Sequence, residues 1–144
     1  MRSIFKECSK LASIDISNFN TNIVEDMTYM LAHCYSLTSI NLTNFNTNKV
    51  TTMFSMFEDC RALTSINLSS FNTKNVKDMT QMFRGCSSLT SINLSNFNTE
   101  NIIYMNSMFC GYEALTFINL SSFNIKNVKN FDSNVPWMFF INFT

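Results

Sequence analysis

Apolar residues recur along the chain at a fixed interval of 26 residues. The two clearest series are Leu11, Leu37, Leu63, Leu89 and Leu115, and Phe19, Phe45, Phe71, Phe97 and Phe123. Isoleucine, valine and methionine positions keep the same interval, and no insertion separates one copy from the next. Five copies in phase indicate a repeat architecture, in which each unit buries its apolar side against its neighbours.

Each unit divides into three segments, of which residues 37–60 give a clear example. Apolar and polar residues alternate over 39–43, which is the period of a short, half-buried strand. Residues 44–49 are rich in Asn and Thr, whose side chains bond neighbouring backbone groups and favour a turn. The apolar positions after the turn are three or four residues apart, which predicts one face of a short helical or 3₁₀ segment. These positions are Val50, Met53, Met56, Phe57 and Cys60.

The sequence therefore predicts a repeat solenoid of leucine-rich-repeat type. Each 26-residue coil is expected to hold one short parallel β-strand and a short helical or 3₁₀ segment, with about five coils in residues 1–131. The array starts in mid-repeat, because Met1 already occupies an internal position of the unit. Residues 132–144 break the pattern at Pro136 and Trp137. This divergent aromatic tail is interpreted as a cap on the last coil, as a docking patch or as a frayed end.

The unit also resembles a known repeat. Leu37, Ile40, Leu42 and Phe45 follow the spacing LxxIxLxxF, which resembles the strand of leucine-rich repeats. The remainder, FNTxNVxxMxxMFxxCxxL, resembles the repeat of BspA-like leucine-rich surface proteins and lipoproteins of low-GC bacteria, over residues 1 to about 131. The resemblance implies adhesion or protein binding at the cell surface or after secretion. Phe45 stands where leucine-rich repeats place a turn-forming Asn, so a straight, β-solenoid-like stack remains an alternative.

Charge and hydropathy limit the classes of partner that are expected for this chain. The chain has 10 basic and 10 acidic side chains, a formal net charge of zero, and no run of Lys and Arg. Nucleic acid is therefore not expected as a partner, because neutralising phosphates requires a clustered basic face. The apolar stretch around 135–141 is too short to span a membrane. Lys6, Glu7 and Lys10 occupy the place of an apolar signal-peptide centre, so no signal peptide is visible.

The cysteines are interpreted as packing residues. Four of them repeat once per unit, namely Cys8, Cys34, Cys60 and Cys86. Tyr112 takes this position in the fifth unit, which favours free, buried thiols over a disulfide between adjacent coils. Cys110 is out of register and is expected to be exposed. His33 is the only histidine and no CxxC or HxxxH pair accompanies it, so no metal site is predicted.

No catalytic constellation is recognisable in the sequence. The only glycines are Gly85 and Gly111, so the chain has neither a GxSxG motif nor a phosphate-binding glycine loop. The acidic pairs at 25–26 and 58–59 lie in polar surroundings, without the apolar environment that would raise the pKa of a carboxyl group. We therefore expect a protein that is not an enzyme and uses no cofactor.

The polar positions of the strand segment form the candidate binding face. If Ile40 and Leu42 face inward, the residues that alternate with them face outward in every unit. This polar strand face comprises Ser39, Asn41, Thr43, Ser65, Asn67, Ser69, Ser91, Asn93, Ser95, Phe117 and Asn119. Its hydroxyls and amides are suited to a glycan or an extended peptide. The alternative interpretation is that small polar side chains solvate an open sheet and that amide ladders stabilise it.

The leading hypothesis is a non-enzymatic interaction or adhesion module of a bacterial surface protein. It would present the polar strand face to a host protein, a matrix protein or a glycan. The alternative is a structural spacer or self-associating fragment of a longer surface array, without a ligand of its own. The N-terminal end has no distinct capping segment, so end-to-end self-association is also predicted.

Overall fold

The computed structural model describes residues 1–129. Within that range the backbone forms two β-strands, β1 (Ser91–Asn93) and β2 (Phe117–Asn119), and no helix. The strands pair in parallel, with Ser91 opposite Phe117. The other described residues form turns, extended connections and isolated parallel bridges, which join Asp26 to Thr52, Thr52 to Asp78, and Asp78 to Tyr104. The predicted domain boundary at 131 and the predicted aromatic cap at 132–144 lie outside the described residues.

The predicted leucine-rich-repeat-like solenoid is wrong. It required one strand and one helical or 3₁₀ segment in each unit, whereas residues 1–129 contain only two three-residue strands and no segment of either helical type. The observed fold is a turn-rich chain with a small parallel sheet. Its 26-residue sequence units are joined by hydrogen bonds and by a shared core, as described below.

The segment predicted to be helical is a series of turns. All five of its apolar positions are buried, as the spacing of three and four residues predicted. However, hydrogen bonds to the third preceding carbonyl form only at alternate amides: Met56 to Met53, Glu58 to Ser55, and Cys60 to Phe57, each at 3.2 Å. Ser55 and Asp59 have φ values of 51° and 56°, in the left-handed region, which a right-handed helix does not accommodate. Apolar residues three and four positions apart are therefore compatible with a series of turns as well as with a helix.

The other amides of this segment bind the next unit. The amides of Met53, Ser55 and Phe57 donate to the carbonyls of Asp78, Thr80 and Met82, each at 2.9 Å. The same alternation joins residues 27–33 to 52–58, and residues 79–85 to 104–110. Each bond links residues 25 positions apart, so backbone donors that a helix would satisfy locally are satisfied by a neighbouring unit.

One hydrophobic cluster extends through the described units. Leu42, Leu68 and Leu94 have exposed fractions of 0%, 2% and 0%. The rings of Phe57 and Phe83 stack with centroids 5.5 Å apart and planes 4° from parallel. Residues that repeat in the sequence therefore share one core, and each unit supplies part of its neighbour's apolar environment.

A buried threonine in the Asn-rich turn connects neighbouring units. Thr47 is 1% exposed, and its hydroxyl donates to the Asn72 carbonyl at 2.9 Å and accepts from the Asn72 amide at 2.8 Å. Thr99 makes the same two bonds with Asn124, at 3.0 and 2.7 Å. One hydroxyl thus satisfies both backbone groups of a residue in the next unit, which explains why a polar side chain is tolerated in the interior.

We predict that Thr47→Val destabilises the protein. Valine keeps the shape of threonine but removes the partner of two Asn72 backbone groups, which should lower the free energy of unfolding by about 1–3 kcal/mol. Urea unfolding followed by circular dichroism measures the effect. Thr64→Val is the matched control, because Thr64 is exposed. An equal, small loss in both variants would contradict a structural role for the buried hydroxyl.

Gly85 occupies a position that disfavours any side chain. Its φ is 70°, and a Cβ atom there would overlap the Asp59 carboxylate. Gly111 has a similar φ of 81°, but its Cβ would lie 3.3 Å from the Gly85 Cα atom. The two glycines thus share a left-handed backbone conformation and differ in how much space is available.

We predict that Gly85→Ala costs more stability than Gly111→Ala. Each substitution places alanine in the left-handed region, at a cost of about 1–2 kcal/mol. Gly85→Ala should lose more because Asp59 must also move. The thermal unfolding midpoint measures the difference. Adding Asp59→Ala to Gly85→Ala should recover part of the loss, and no recovery would show that overlap with the carboxylate is not the cause.

Candidate functional site

The polar strand face is exposed in the structure. Ten of its eleven residues are exposed, and Asn119 is half-buried. Phe117, the one apolar member, is among the exposed residues, with an exposed fraction of 57%. Strand pairing brings Ser91 beside Phe117, and Asn93 beside Asn119. The members at 39–43 and 65–69 are not in strands, but the Ser70 hydroxyl donates to the Leu42 carbonyl at 2.9 Å and joins these two segments.

The asparagines of this face close local turns. The amides of Ser69 and Ser95 each donate to the side-chain oxygen of the Asn two residues earlier, Asn67 and Asn93, at 3.0 Å. Asn41 and Asn119 accept the corresponding amides, each at 3.1 Å, and Asn41 also accepts the Thr43 hydroxyl at 2.8 Å. These are Asx turns, so the amide oxygens of the face serve the fold. The Nδ2 groups of these asparagines have no hydrogen-bond partner within residues 1–129.

The first unit shows that the repeat position of these asparagines requires a hydrogen-bond acceptor. Asp15 takes the place of Asn and accepts the Ser17 amide at 2.9 Å. Hydrogen bonds from the Ser17 hydroxyl and amide lower the pKa of the Asp15 carboxyl below its ordinary value. A carboxylate and an amide oxygen therefore perform the same task. Sequence reasoning assigned these asparagines to a possible ligand and missed the turn, although the exchange of Asp and Asn at one repeat position was a signal for an acceptor.

Side-chain amide pairs occur elsewhere, in the Asn-rich turn. Asn46 Nδ2 donates to Asn22 Oδ1 at 2.8 Å, and Asn72 Nδ2 donates to Asn48 Oδ1 at 2.7 Å. These bonds join neighbouring units. The amide ladder considered for the polar strand face is therefore found at the turn, where each amide can reach an amide of the adjacent unit.

A depression of about 710 Å³ lies between the Asn-rich turns of the last two described units, at residues 96–100 and 121–126. Two of its polar side chains already join neighbouring units: Asn96 Nδ2 donates to the carbonyls of Leu68 and Phe71, and the Ser122 hydroxyl lies within hydrogen-bond distance of the carbonyls of Leu94 and Phe97. Because these groups are used in joining units, we assign no ligand to the depression.

Charged side chains pair with one another around residues 58–61. Arg84 Nη1 lies 2.8 Å from Glu58 Oε1, and this hydrogen bond raises the pKa of Arg84. Arg61 Nε lies 3.2 Å from Asp59 Oδ1. His33 Nδ1 is 3.3 Å from Asp59 Oδ2, a contact that lacks hydrogen-bond geometry. No group of three or more His, Cys, Asp or Glu residues in the described part of the chain is arranged to hold a metal ion.

The thiols are free, and three of them are buried. Cys34, Cys60 and Cys86 are in the core, which confirms their predicted packing role, and Cys110 is exposed as predicted. Cys8 is exposed, so the prediction of a buried thiol is wrong there. The Cys86 thiol donates to the Phe57 carbonyl at 3.2 Å. Burial raises the pKa of Cys34 to about 11 and that of Cys86 to about 12, which makes these thiols poor nucleophiles.

We predict a loss of stability in alkaline solution that depends on Cys86. Its pKa is raised on folding, so its contribution is complete below its ordinary value of 9.0 and is lost as the pH rises toward about 12. Urea unfolding at pH 8 and pH 10.5 measures the slope. Cys86→Ala should show a shallower loss than the unmodified protein, whereas Cys110→Ala, which removes an exposed thiol, should not. Identical slopes in all three proteins would contradict this assignment.

The fold and the face together define a turn-rich protein of repeated units with an exposed, uncharged polar surface. Its sequence matches the family model described as "Mycoplasma protein of unknown function, DUF285", over residues 1–91 and 64–139. The two matches cover most of the chain, and the chain therefore belongs to this family. No curated protein and no solved structure matches it.

The family match corrects the resemblance drawn from the sequence. The matching family is described without reference to leucine-rich repeats or BspA, so the assignment to BspA-like leucine-rich surface proteins is wrong. That resemblance relied on the spacing LxxIxLxxF and on the remainder of the unit, FNTxNVxxMxxMFxxCxxL, and a turn-rich unit with short extended segments also satisfies both. Among residues 1–129 there is no helix capable of crossing a membrane.

Proposed function

We propose that this protein is a non-enzymatic interaction module that binds a host protein, a matrix protein or a glycan through its polar strand face. The observation that carries the proposal is the exposure of uncharged polar groups at equivalent positions of successive units. Ser65 and Ser91 are exposed and their hydroxyls have no partner within residues 1–129, as is also true of the Nδ2 groups of Asn67 and Asn93.

The Asx turns support the proposal because they hold this face in place. Each turn ties a side-chain oxygen to the backbone two residues later, so the neighbouring serine hydroxyls are presented from a restrained backbone. A surface that is ordered before binding loses less conformational entropy when it binds. Phe117 adds apolar area at one end of the face, beside Ser91.

Energetic magnitudes favour an extended ligand. A neutral hydrogen bond contributes on the order of 1 kcal/mol net, whereas association costs roughly 4–15 kcal/mol in lost freedom of motion. One unit offers only a few such groups, so a ligand must contact several units at once. Extended polypeptides and linear glycans meet this requirement.

The proposal includes display at the cell surface or secretion, because these partner classes are found outside the cell. Protease treatment of intact cells, followed by immunoblotting for the chain, tests this part separately. Degradation without lysis is the expected result, and resistance that disappears on lysis would contradict it.

The alternative is a structural spacer or self-associating segment without a ligand. One observation favours it: the amide oxygens of Asn41, Asn67 and Asn93 are already used in turns. The similarity of this face from unit to unit then follows from the needs of the fold, and binding is not required to explain it.

We predict that two positive charges on the face abolish ligand capture. Ser65→Lys combined with Ser91→Lys adds two long charged side chains without removing a turn acceptor, and an uncharged recognition surface should then be blocked. Binding is measured on immobilised collagen, fibronectin and laminin and on an array of defined glycans. Loss of all binding by the double variant is the expected result for any probe that the unmodified protein binds.

Glu100→Lys provides the matched control. It changes the net charge by the same two units at an exposed position in the Asn-rich turn, and its own side chain makes no hydrogen bond within residues 1–129. Binding should be retained. If both variants lose binding equally, the effect is one of overall charge; if no probe is bound by the unmodified protein, the spacer alternative gains support.

A further inference from the structure

The asparagines of the polar strand face present hydrogen-bond donors to a ligand. Their Oδ1 atoms already accept backbone amides, as Asn67 and Asn93 do from Ser69 and Ser95 at 3.0 Å. The Nδ2 group of each asparagine carries two N–H donors and has no partner within residues 1–129. A ligand that covers these positions must therefore supply acceptors.

Phe117 is the one aromatic side chain of this face, and its exposed fraction is 57%. Phe117 and Asn119 are two residues apart in β2 and therefore project from the same side of the sheet. Strand pairing places Asn93 of β1 opposite Asn119. An apolar ring thus lies beside the row of amide donors. The preceding units have serine where this unit has Phe117, namely Ser13, Ser39, Ser65 and Ser91.

Neighbouring units along this face are held at the spacing of paired strands. The amides of Thr90 and Thr116 donate to the carbonyls of Thr64 and Thr90, at 3.3 and 2.9 Å, and β1 pairs with β2. Paired strands are about 4.8 Å apart, whereas same-facing residues of an extended peptide repeat at about 6.7 Å. Each sugar of an extended β1,4-linked glycan advances its chain by close to one strand spacing. A glycan that crosses the units therefore stays in register with them better than a peptide does.

We propose that the polar strand face binds an uncharged linear glycan that carries N-acetyl groups and runs across the units. This inference rests on the function proposed above and specifies the ligand. The acetyl carbonyls accept from the Nδ2 groups, and the C–H face of one sugar ring lies on Phe117. Because successive sugars of a β1,4-linked chain are turned over, equivalent acetyl groups reach every second unit, for example at Asn41 and Asn93.

An acetamido group complements the face better than a hydroxyl or a carboxylate. A sugar hydroxyl held against the face brings a donor of its own, although the Oδ1 acceptors are already used in turns. A carboxylate or a sulfate would lose hydration without gaining a counter-charge, since none of the eleven face residues is charged. The carbonyl oxygen of an acetamido group is an uncharged acceptor, and the N–H of that group points away from it.

Two hexasaccharides with the same backbone test the ligand class. Chitohexaose carries an N-acetyl group on each sugar, and cellohexaose has a hydroxyl in its place. Isothermal titration calorimetry with the unmodified chain should give an affinity for chitohexaose about tenfold higher than for cellohexaose, because two or more hydrogen bonds are lost. Affinity should also rise from chitobiose to chitohexaose as more units are contacted. Equal affinity for the two hexasaccharides, or no binding of chitohexaose at millimolar concentration, would overturn the proposal.

The repeats themselves supply variants that should keep the fold. Asn67→Asp combined with Asn93→Asp retains the turn acceptors, as Asp15 does in the first unit, and replaces the Nδ2 donors by carboxylate oxygens. Phe117→Ser introduces the residue that the preceding units have. Each variant should weaken chitohexaose binding by about fivefold or more, the factor that one neutral hydrogen bond usually contributes, with an unchanged circular dichroism spectrum. Full affinity in both variants would overturn the proposal.

Asn20→Asp combined with Asn124→Asp is the matched control. Both residues are exposed outside the polar strand face, and their Oδ1 atoms accept the amides of Asn22 and Lys126, each at 3.1 Å. The change of charge and the type of turn are therefore the same as in the Asn67 and Asn93 variant. Chitohexaose should bind the control as tightly as it binds the unmodified chain. Equal weakening in both double variants would make net charge the cause and would overturn the proposal.

Failure of this inference can be distinguished from failure of the proposed function. If a matrix protein binds, if Ser65→Lys combined with Ser91→Lys abolishes that binding, and if chitohexaose does not bind, the face recognises a protein and only the glycan inference is overturned. If neither the matrix proteins nor any of the glycans bind the unmodified chain, both are overturned.

Discussion

The requirement that each backbone amide find an acceptor determines most of this structure. In residues 55–60 the backbone amides alternate between two acceptors, a carbonyl 25 residues later and a carbonyl three residues earlier. The first joins the units and the second makes the turn. The two kinds of hydrogen bond depend on each other, because a series of turns without a neighbouring unit would leave half of its backbone amides without a protein acceptor. The apolar core then fills the space between units that these bonds place side by side.

Polar side chains accept hydrogen bonds from backbone amides that have no backbone acceptor. This second role of the side chains limits how the polar strand face can be interpreted. Threonine hydroxyls at the buried turn and asparagine oxygens on the exposed face are both acceptors for backbone amides. Most of the regularity that makes the sequence look like a repeated recognition surface is thus required by folding. What remains for a ligand are the serine hydroxyls and the amide nitrogens, which take no part in these turns within residues 1–129.

The sequence patterns predicted which side chains are buried better than they predicted the conformation of the backbone. Leu42, Val50 and Met53 were expected in the core and are there, because removing apolar side chains from water is favourable whichever backbone conformation carries them. The predicted helix failed at Ser55 and Asp59, which adopt left-handed φ values without being glycine. The strand prediction failed at 39–43, which is an extended connection although Asn41 makes the same Asx turn that follows β1 at Asn93. In the segment predicted to be helical, the acceptors of alternate amides lie in another unit, and the pattern of one unit does not show them.

The constant span of the hydrogen bonds between units has a consequence for folding kinetics. Because these bonds join residues separated by roughly one repeat length, closing each loop carries nearly the same entropic cost wherever it occurs along the chain. Among the described residues, these hydrogen bonds do not depend on contacts between more distant parts of the sequence. Within residues 1–129 we therefore expect ordering to start at any adjacent pair of units and to spread to the neighbouring ones.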